Sequence, residues 1–302
     1  MGGMSFAVPT SMSPSRVEAF VSCPLAFRFA SIEKLPEPPS PHTTKGSLVH
    51  RSLELLFTRP PGERTLEAAR SAHESARREY EVDREFTQLG LADTEAEAFF
   101  TDAWSLVEGY LAMENPATIN EIGLELKLEA TVQINDQAND QASNQSSDQS
   151  SNGANEVDRL TLRGIIDRLE LDSDGGLIVT DYKTGKAPGL RYEQNSLAGL
   201  NFYSFLCEEV FGRRPAAIRL MYLRSGETIT ATPSAQSVKF VRTRTKAVWQ
   251  AVGKACAASD FRPKPGGLCA GCAFRPWCPE FGGDPALAAA EAPVRYGMSP
   301  AA

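Results

Sequence analysis

Gly164-Ile165-Ile166-Asp167-Arg168 is followed, thirteen residues after Arg168, by Asp181-Tyr182-Lys183-Thr184-Gly185. Both runs close stretches with strand character, residues 160–171 and 176–182, and the turn Asp172-Ser173-Asp174-Gly175 separates them. Two adjacent antiparallel strands bring Asp167 and Asp181 together at the end of a sheet. Paired carboxylates there suit a hard divalent cation such as Mg²⁺, which takes oxygen ligands and keeps several waters. The two-residue period of a strand puts Asp181 and Lys183 on one face and leaves the carbonyl of Tyr182 free to add an oxygen. A lysine beside metal-bound carboxylates orients a water, while the metal lowers that water's pKa and stabilises charge on phosphorus. A surface Asp–Lys pair flanking a turn has the same spacing, so the surrounding chain must decide.

Outward from this pair, residues 119–130 alternate, with Leu124, Leu126, Leu128 and Ala130 on one face of an expected strand. Residues 135–155 (NDQANDQASNQSSDQSSNGAN) hold alanine as their sole apolar residue type and cannot offset their ordering entropy, so a disordered hairpin loop is expected. Downstream, residues 195–211 read as a helix, 218–224 and 227–231 as a hairpin, and 235–258 as a long helix. Upstream, Pro14 suits a first helical turn and Ser15 with Glu18 forms a capping box, so SRVEAFVSCPLAFRFA reads as two helical pieces broken at Cys23-Pro24. A proline-rich joint (Pro36, Pro38, Pro39, Pro41) leads to a helix over 44–57. Residues 63–80 and 93–113 read as charged amphipathic helices, an acidic insertion spanning 61–115 with solvated faces. The Ala-rich stretch 284–302 reads as a flexible tail.

At 302 residues and 42% hydrophobic, the chain can bury a sizeable core without covalent staples. The net charge of −7 conceals a division. Residues 61–158 carry 6 Lys/Arg against 21 Asp/Glu, whereas 1–60 carry 6 against 4 and 159–302 carry 19 against 13. The flanks are therefore basic and can face phosphates even though the whole is acidic. No apolar run reaches the roughly 18 residues of a membrane helix. The N-terminus lacks a charged, apolar leader, and Phe6 stands where a myristoylation signal wants Ser or Thr. A cytoplasmic protein with no membrane partner is expected.

The Gly-x-x-Asp-Arg and Asp-Tyr-Lys-Thr-Gly strands resemble the PD-(D/E)xK nuclease superfamily, specifically its RecB/AddB-like branch. Gly46-Ser47-Leu48-Val49-His50 matches that branch's Gly-x-x-x-His element, which implies that His50 is a metal ligand. Tyr203, in LNFYSFL, matches the tyrosine of its Gln-x-x-x-Tyr element, and Ser13-Pro14-Ser15 through Cys23-Pro24-Leu25 matches its opening. The resemblance runs over residues 13–283, one nuclease domain. Four residues before Tyr203 the pattern would place Gln; here stands Gly199, with Gln194 nearby but out of register. Glu125 is either a further acidic contributor or a solvent-facing strand residue.

Six cysteines in a chain with no secretory signal point to metal or core positions rather than disulfides. Cys269, Cys272 and Cys278 form a tight trio that lacks a fourth ligand, and a local zinc ribbon would want a second nearby CxxC. One distant cysteine plus this trio resembles the iron–sulfur clasp of AddB-like and CRISPR-associated adaptation nucleases. That likeness implies a [4Fe–4S] cluster on Cys23, Cys269, Cys272 and Cys278; zinc, or no metal, are the other readings. Cys207 and Cys256 lie within expected helices as free buried thiols.

The expected fold is α/β, a central mixed sheet flanked by helices, with the helical insertion and a Cys-rich C-terminal clasp. The resemblance implies a Mg²⁺- or Mn²⁺-dependent DNA exonuclease serving repair or recombination. In it Asp167, Asp181, His50 and the Tyr182 carbonyl hold the metal, Lys183 positions water, and Tyr203 supports the site. No Gly-x4-Gly-Lys-Ser/Thr motif occurs, so any helicase partner is a separate chain. A CRISPR-adaptation-type nuclease and a non-catalytic DNA-binding module are the rival readings.

Overall fold

A computed structural model describes residues 5–133, 159–187 and 190–297, the side chains of 190–198 excepted. The polar segment 135–155, the side chain of Gln194 and residues 298–302 lie outside the described residues. The sheet holds β1 (Glu121–Gln133), β2 (Arg159–Leu171), β3 (Leu177–Lys183), β4 (Ala217–Tyr222) and β5 (Glu227–Ala231) in that spatial order. β1–β2, β2–β3 and β4–β5 run antiparallel, and β3–β4 run parallel. The parallel pair requires a crossover, which helix α7 (Leu190–Phe211) supplies. The sheet is therefore mixed, as the pattern of strands and helices implied.

The remaining helices are α1 (Pro14–Ser22), α2 (Pro24–Phe27), α3 (Pro41–Phe57), α4 (Leu66–Glu81), α5 (Arg84–Thr87), α6 (Asp93–Met113), α8 (Ala235–Ala258) and α9 (Ala288–Arg295). The first helix is capped two residues earlier than the capping box suggested: Ser13 Oγ accepts from Arg16 N at 3.3 Å. Pro14 has no N–H to satisfy and sits naturally at the first helical position, so the residue before it becomes the cap. The break at Cys23-Pro24 stands where it was expected, between α1 and α2.

Two hydrophobic cores fill the two sides of the sheet. One joins α1, α2, α7 and α8 to β1–β4 through residues such as Phe27, Leu162, Phe205, Ile218 and Trp249. The other joins α3, α4 and α6 to Tyr182, Met221 and Leu223. The acidic helices thus do more than present solvated faces. Ala69, Ala72 and Ala76 of α4 and Phe100, Ala103 and Val107 of α6 are buried in this second core, where the small α4 side chains let the helices approach closely. Their acids remain outside, in exposed pairs such as Arg77–Glu97 and Arg51–Glu79.

The tail is a second departure from expectation. From Asp284 the chain forms a 3₁₀ turn and α9, and Ala288 and Ala292 are fully buried. Trp277 Nε1 donates to Glu291 at 2.8 Å, and the Tyr296 hydroxyl donates to the Ala273 carbonyl at 2.5 Å. Alanine-rich composition read as fraying; here the alanines are buried in the core that also holds Trp277.

Candidate metal centre and cleft

Asp167 lies on β2 and Asp181 on β3, just past the last pair of the ladder between them, Arg168–Thr180. Beyond that pair the backbone of Tyr182 has no strand partner on this side. Its N–H donates to Asp167 Oδ2 at 2.7 Å, and His50 Nε2 lies 3.1 Å from its carbonyl oxygen, close enough to donate to it or to share a cation with it. Buried main-chain groups must find partners, and here the partners are two of the expected site residues. His50 arrives on α3, with Nδ1 3.6 Å from Asp167 Oδ2 and 3.7 Å from Glu125 Oε1.

His50, Glu125 and Asp167 each offer a ligand atom within 4.8 Å of the other two. An imidazole with two carboxylates is a suitable donor set for a divalent cation such as Mg²⁺ or Mn²⁺. Asp181 stands alongside, ion-paired with Lys183 Nζ. Glu125 has a left-handed backbone (φ 41°) and lies across from Asp167, between the pairs Leu124–Arg168 and Leu126–Ile166. The sequence left Glu125 open between a site acid and an outward-facing strand residue; the structure places it beside His50, at a local distortion of the strand.

The electrostatics follow from burial. Asp167 has its pKa raised, first by burial and then by the charge of Asp181, with His50 acting the other way. For His50, burial disfavours the charge, but the neighbouring carboxylates Glu125, Asp167 and Asp181 outweigh it and raise the pKa. Lys183 is likewise opposed by burial, yet Asp181 and Asp167 raise its pKa, so its ammonium stays charged. The cluster is rich in carboxylate and holds positive charge.

A cleft of about 920 Å³ opens beside Asp181 and Lys183. Leu128, Gly164, Ile165, Leu220 and Tyr222 line it from the sheet, Pro14 and Ser15 from α1, and Leu200 and Tyr203 from α7; Lys127 and Arg163 are exposed along it. Tyr203 can approach because residue 164 is glycine: a Cβ there would stand 3.2 Å from Tyr203 Cε1 and 2.9 Å from Leu206 Cδ2. Burial, followed by the nearby carboxylates, raises the pKa of the Tyr203 phenol and keeps it a hydrogen-bond donor. Gly199 also lines the cleft, and a Cβ there would meet nothing within 4 Å.

Four of the cysteines come near one another in the Cys-rich loop and at the α1–α2 break. Burial raises the pKa of Cys272, with Cys23, Cys269 and Cys278 all close enough to add to the shift. Gly266 N–H donates to Cys269 Sγ at 3.3 Å, and Lys264 Nζ donates to the Val21 carbonyl at 2.8 Å, joining the Cys-rich loop to α1. Gly283 closes the loop against the chain: a Cβ there would lie 2.2 Å from the Pro276 carbonyl oxygen. No three of these thiols lie as close together as the ligand atoms of His50, Glu125 and Asp167 do. Cys207 and Cys256 are buried away from this group, each with its pKa raised by burial.

Among known proteins, residues 11–279 match the family model for the PD-(D/E)XK nuclease superfamily. A solved structure described as "Crystal structure of SSO0001" aligns at 13% identity over 79% of this chain and 95% of its own, with a TM-score of 0.36. No curated protein matches the chain. No helix among the described residues is long and apolar enough to cross a membrane.

Proposed function

The chain belongs to the PD-(D/E)XK nuclease superfamily, and from that premise we propose that it is a Mg²⁺- or Mn²⁺-dependent DNA exonuclease of the RecB/AddB-like kind. The observation that carries this reading is the convergence of His50, Glu125 and Asp167 on one point, with Asp181 and Lys183 beside it. His50, Glu125, Asp167 and Asp181, with the Tyr182 carbonyl, would hold the cation. When bound, it would supply an activated water and stabilise charge developing on the phosphate.

The protein's own groups divide the remaining work. Lys183 stays protonated, so it acts as a donor that orients the attacking water and the phosphate oxygen rather than as a base. Asp181 holds Lys183 in place through their ion pair. Tyr203 donates from the cleft wall toward the substrate strand. Lys127 and Arg163 attract the backbone phosphates.

The cleft supports a single strand as the substrate. Its volume is that of an ordinary small-ligand pocket, and Ile165, exposed on its wall, offers apolar surface to an unpaired base. A duplex would present mainly phosphates to such a wall. Cys23, Cys269, Cys272 and Cys278 would bind a [4Fe–4S] cluster that joins the chain ends. A role in repair or recombination, with any helicase supplied by another chain, fits the absence of a nucleotide-binding loop motif in the sequence.

The test is a cleavage assay on end-labelled linear and on circular DNA, single- and double-stranded, with and without Mg²⁺ or Mn²⁺. Metal-dependent loss of linear single strands, with circles spared, is expected. Cleavage of circles would replace the exonuclease reading with an endonuclease one, and no cleavage of any substrate would remove the catalytic reading.

A further inference from the structure

We propose that Arg168, which does not reach the substrate cleft, is a positioning residue for the cation site and acts through the phenol of Tyr182. The inference rests on the metal-site reading above. Arg168 is fully buried. Its guanidinium is ion-paired with Glu114, at the C-cap of α6, and with Glu170 (Nε–Oε2 2.7 Å), and Glu170 in turn takes Arg219 Nη1 at 2.9 Å. Two arginines and two glutamates balance one another, so the group is a neutral, braced unit behind the sheet.

From this unit Arg168 Nη1 donates to the Tyr182 hydroxyl at 2.8 Å. The main chain of the same tyrosine is what the site residues touch: its N–H reaches Asp167 Oδ2 at 2.7 Å, and its carbonyl lies 3.1 Å from His50 Nε2. The β2–β3 ladder has already ended at Arg168–Thr180, so no strand hydrogen bond to β2 fixes Tyr182 on that side. Its ring also stands edge-on to the His50 ring, centroids 5.9 Å apart. Holding the phenol from behind therefore holds a ligand imidazole and a ligand carboxylate together. Groups that orient metal ligands typically contribute about 10–100-fold to metal affinity.

Tyr110 provides the internal comparison. Its hydroxyl donates to Glu114 at 2.8 Å and lies 3.3 Å from Arg168 Nη1, within the same buried unit. Its ring also stands edge-on to the Tyr182 ring, centroids 5.6 Å apart; Tyr110→Phe keeps that contact and removes only the hydroxyl's bonds to Glu114 and Arg168.

The experiment measures Mn²⁺ affinity by electron paramagnetic resonance, and thermal unfolding alongside it, for the full chain and for Tyr182→Phe, Tyr110→Phe and Arg168→Lys. Tyr182→Phe should bind Mn²⁺ about tenfold more weakly, Tyr110→Phe should bind as the parent does, and both should unfold at similar temperatures. Arg168→Lys, if folded, should match Tyr182→Phe. Parental affinity in Tyr182→Phe, or equal weakening in both tyrosine variants, would overturn the inference while leaving the metal site standing. Failure of the parent protein to bind Mn²⁺ would instead overturn the metal-site reading on which the inference rests.

Discussion

Gly164 packs closely against Tyr203 across the β2–α7 contact: a methyl group at 164 would stand 3.2 Å from Tyr203 Cε1 and 2.9 Å from Leu206 Cδ2, so both must give for it to fit. The glycine belongs to the same strand segment as Asp167, so the packing of α7 and the placement of the carboxylate are one arrangement. Gly164→Ala should cost about 1–3 kcal/mol through overpacking and should lower cleavage further by displacing Tyr203. Chemical denaturation and a cleavage assay on the same variant check both parts; parental stability would show that α7 yields freely.

Lys183 supplies a second test. Its pKa is raised by Asp181 and Asp167 against the opposing effect of burial, which makes it a donor. Lys183→Gln should reduce cleavage about 10²–10³-fold and leave Mn²⁺ binding in place. If Lys183 were instead a base, the parent's rate would climb steeply toward the lysine pKa; a rate flat over the same range supports the donor role.

The residues that were legible and those that were not differ in physical kind. Asp167, Asp181 and Lys183 follow from strand period and a short turn, both local properties. The β1–β2 ribbon and the long helices Asp93–Met113 and Ala235–Ala258 were readable for the same reason. Glu125 was ambiguous because its position depends on a left-handed residue inside a strand. Arg168 appears in sequence as the last residue of the Gly-x-x-Asp-Arg run, with no role assigned to it; the approach of Glu114, 54 positions earlier, together with Glu170, makes its burial tolerable. The α9 segment was misjudged because Ala288 and Ala292 find their core, and Glu291 its partner Trp277, only in the folded chain.

His73 couples the helical layer to pH. It is buried, its ring is 5.5 Å from Trp104 and its Nδ1 is 3.1 Å from Ser52 Oγ. Burial is the main cause of a pKa below the ordinary 6.5. Since the unfolded chain then takes the proton first, this contribution is complete above about pH 6.5 and is lost as pH falls toward the folded-state pKa. Urea midpoints at about pH 7.5 and about pH 5.5 should therefore drop more for the parent than for His73→Gln. Equal drops would show that His73 does not set the acid sensitivity.

The cysteine group carries its own prediction. Cys23 and Cys269 are 246 positions apart in the chain, so a shared cluster restricts the unfolded state strongly, on the order of 4 kcal/mol by analogy with cross-links. Anaerobically purified protein should be brown, and Cys23→Ser should lose both colour and thermal stability. Colourless protein with stoichiometric zinc, or unchanged absorbance in Cys23→Ser, would contradict the cluster.

The most direct measurement is Mg²⁺-dependent hydrolysis of end-labelled single-stranded DNA by the parent protein and by Asp167→Asn, with the fold of each verified by thermal unfolding. Asp167 is the carboxylate shared by His50, the Tyr182 N–H and the Glu125 side of the site. The account predicts cleavage by the parent that stops when Mg²⁺ is chelated and is abolished in folded Asp167→Asn. Parental rates of hydrolysis in that variant would contradict it.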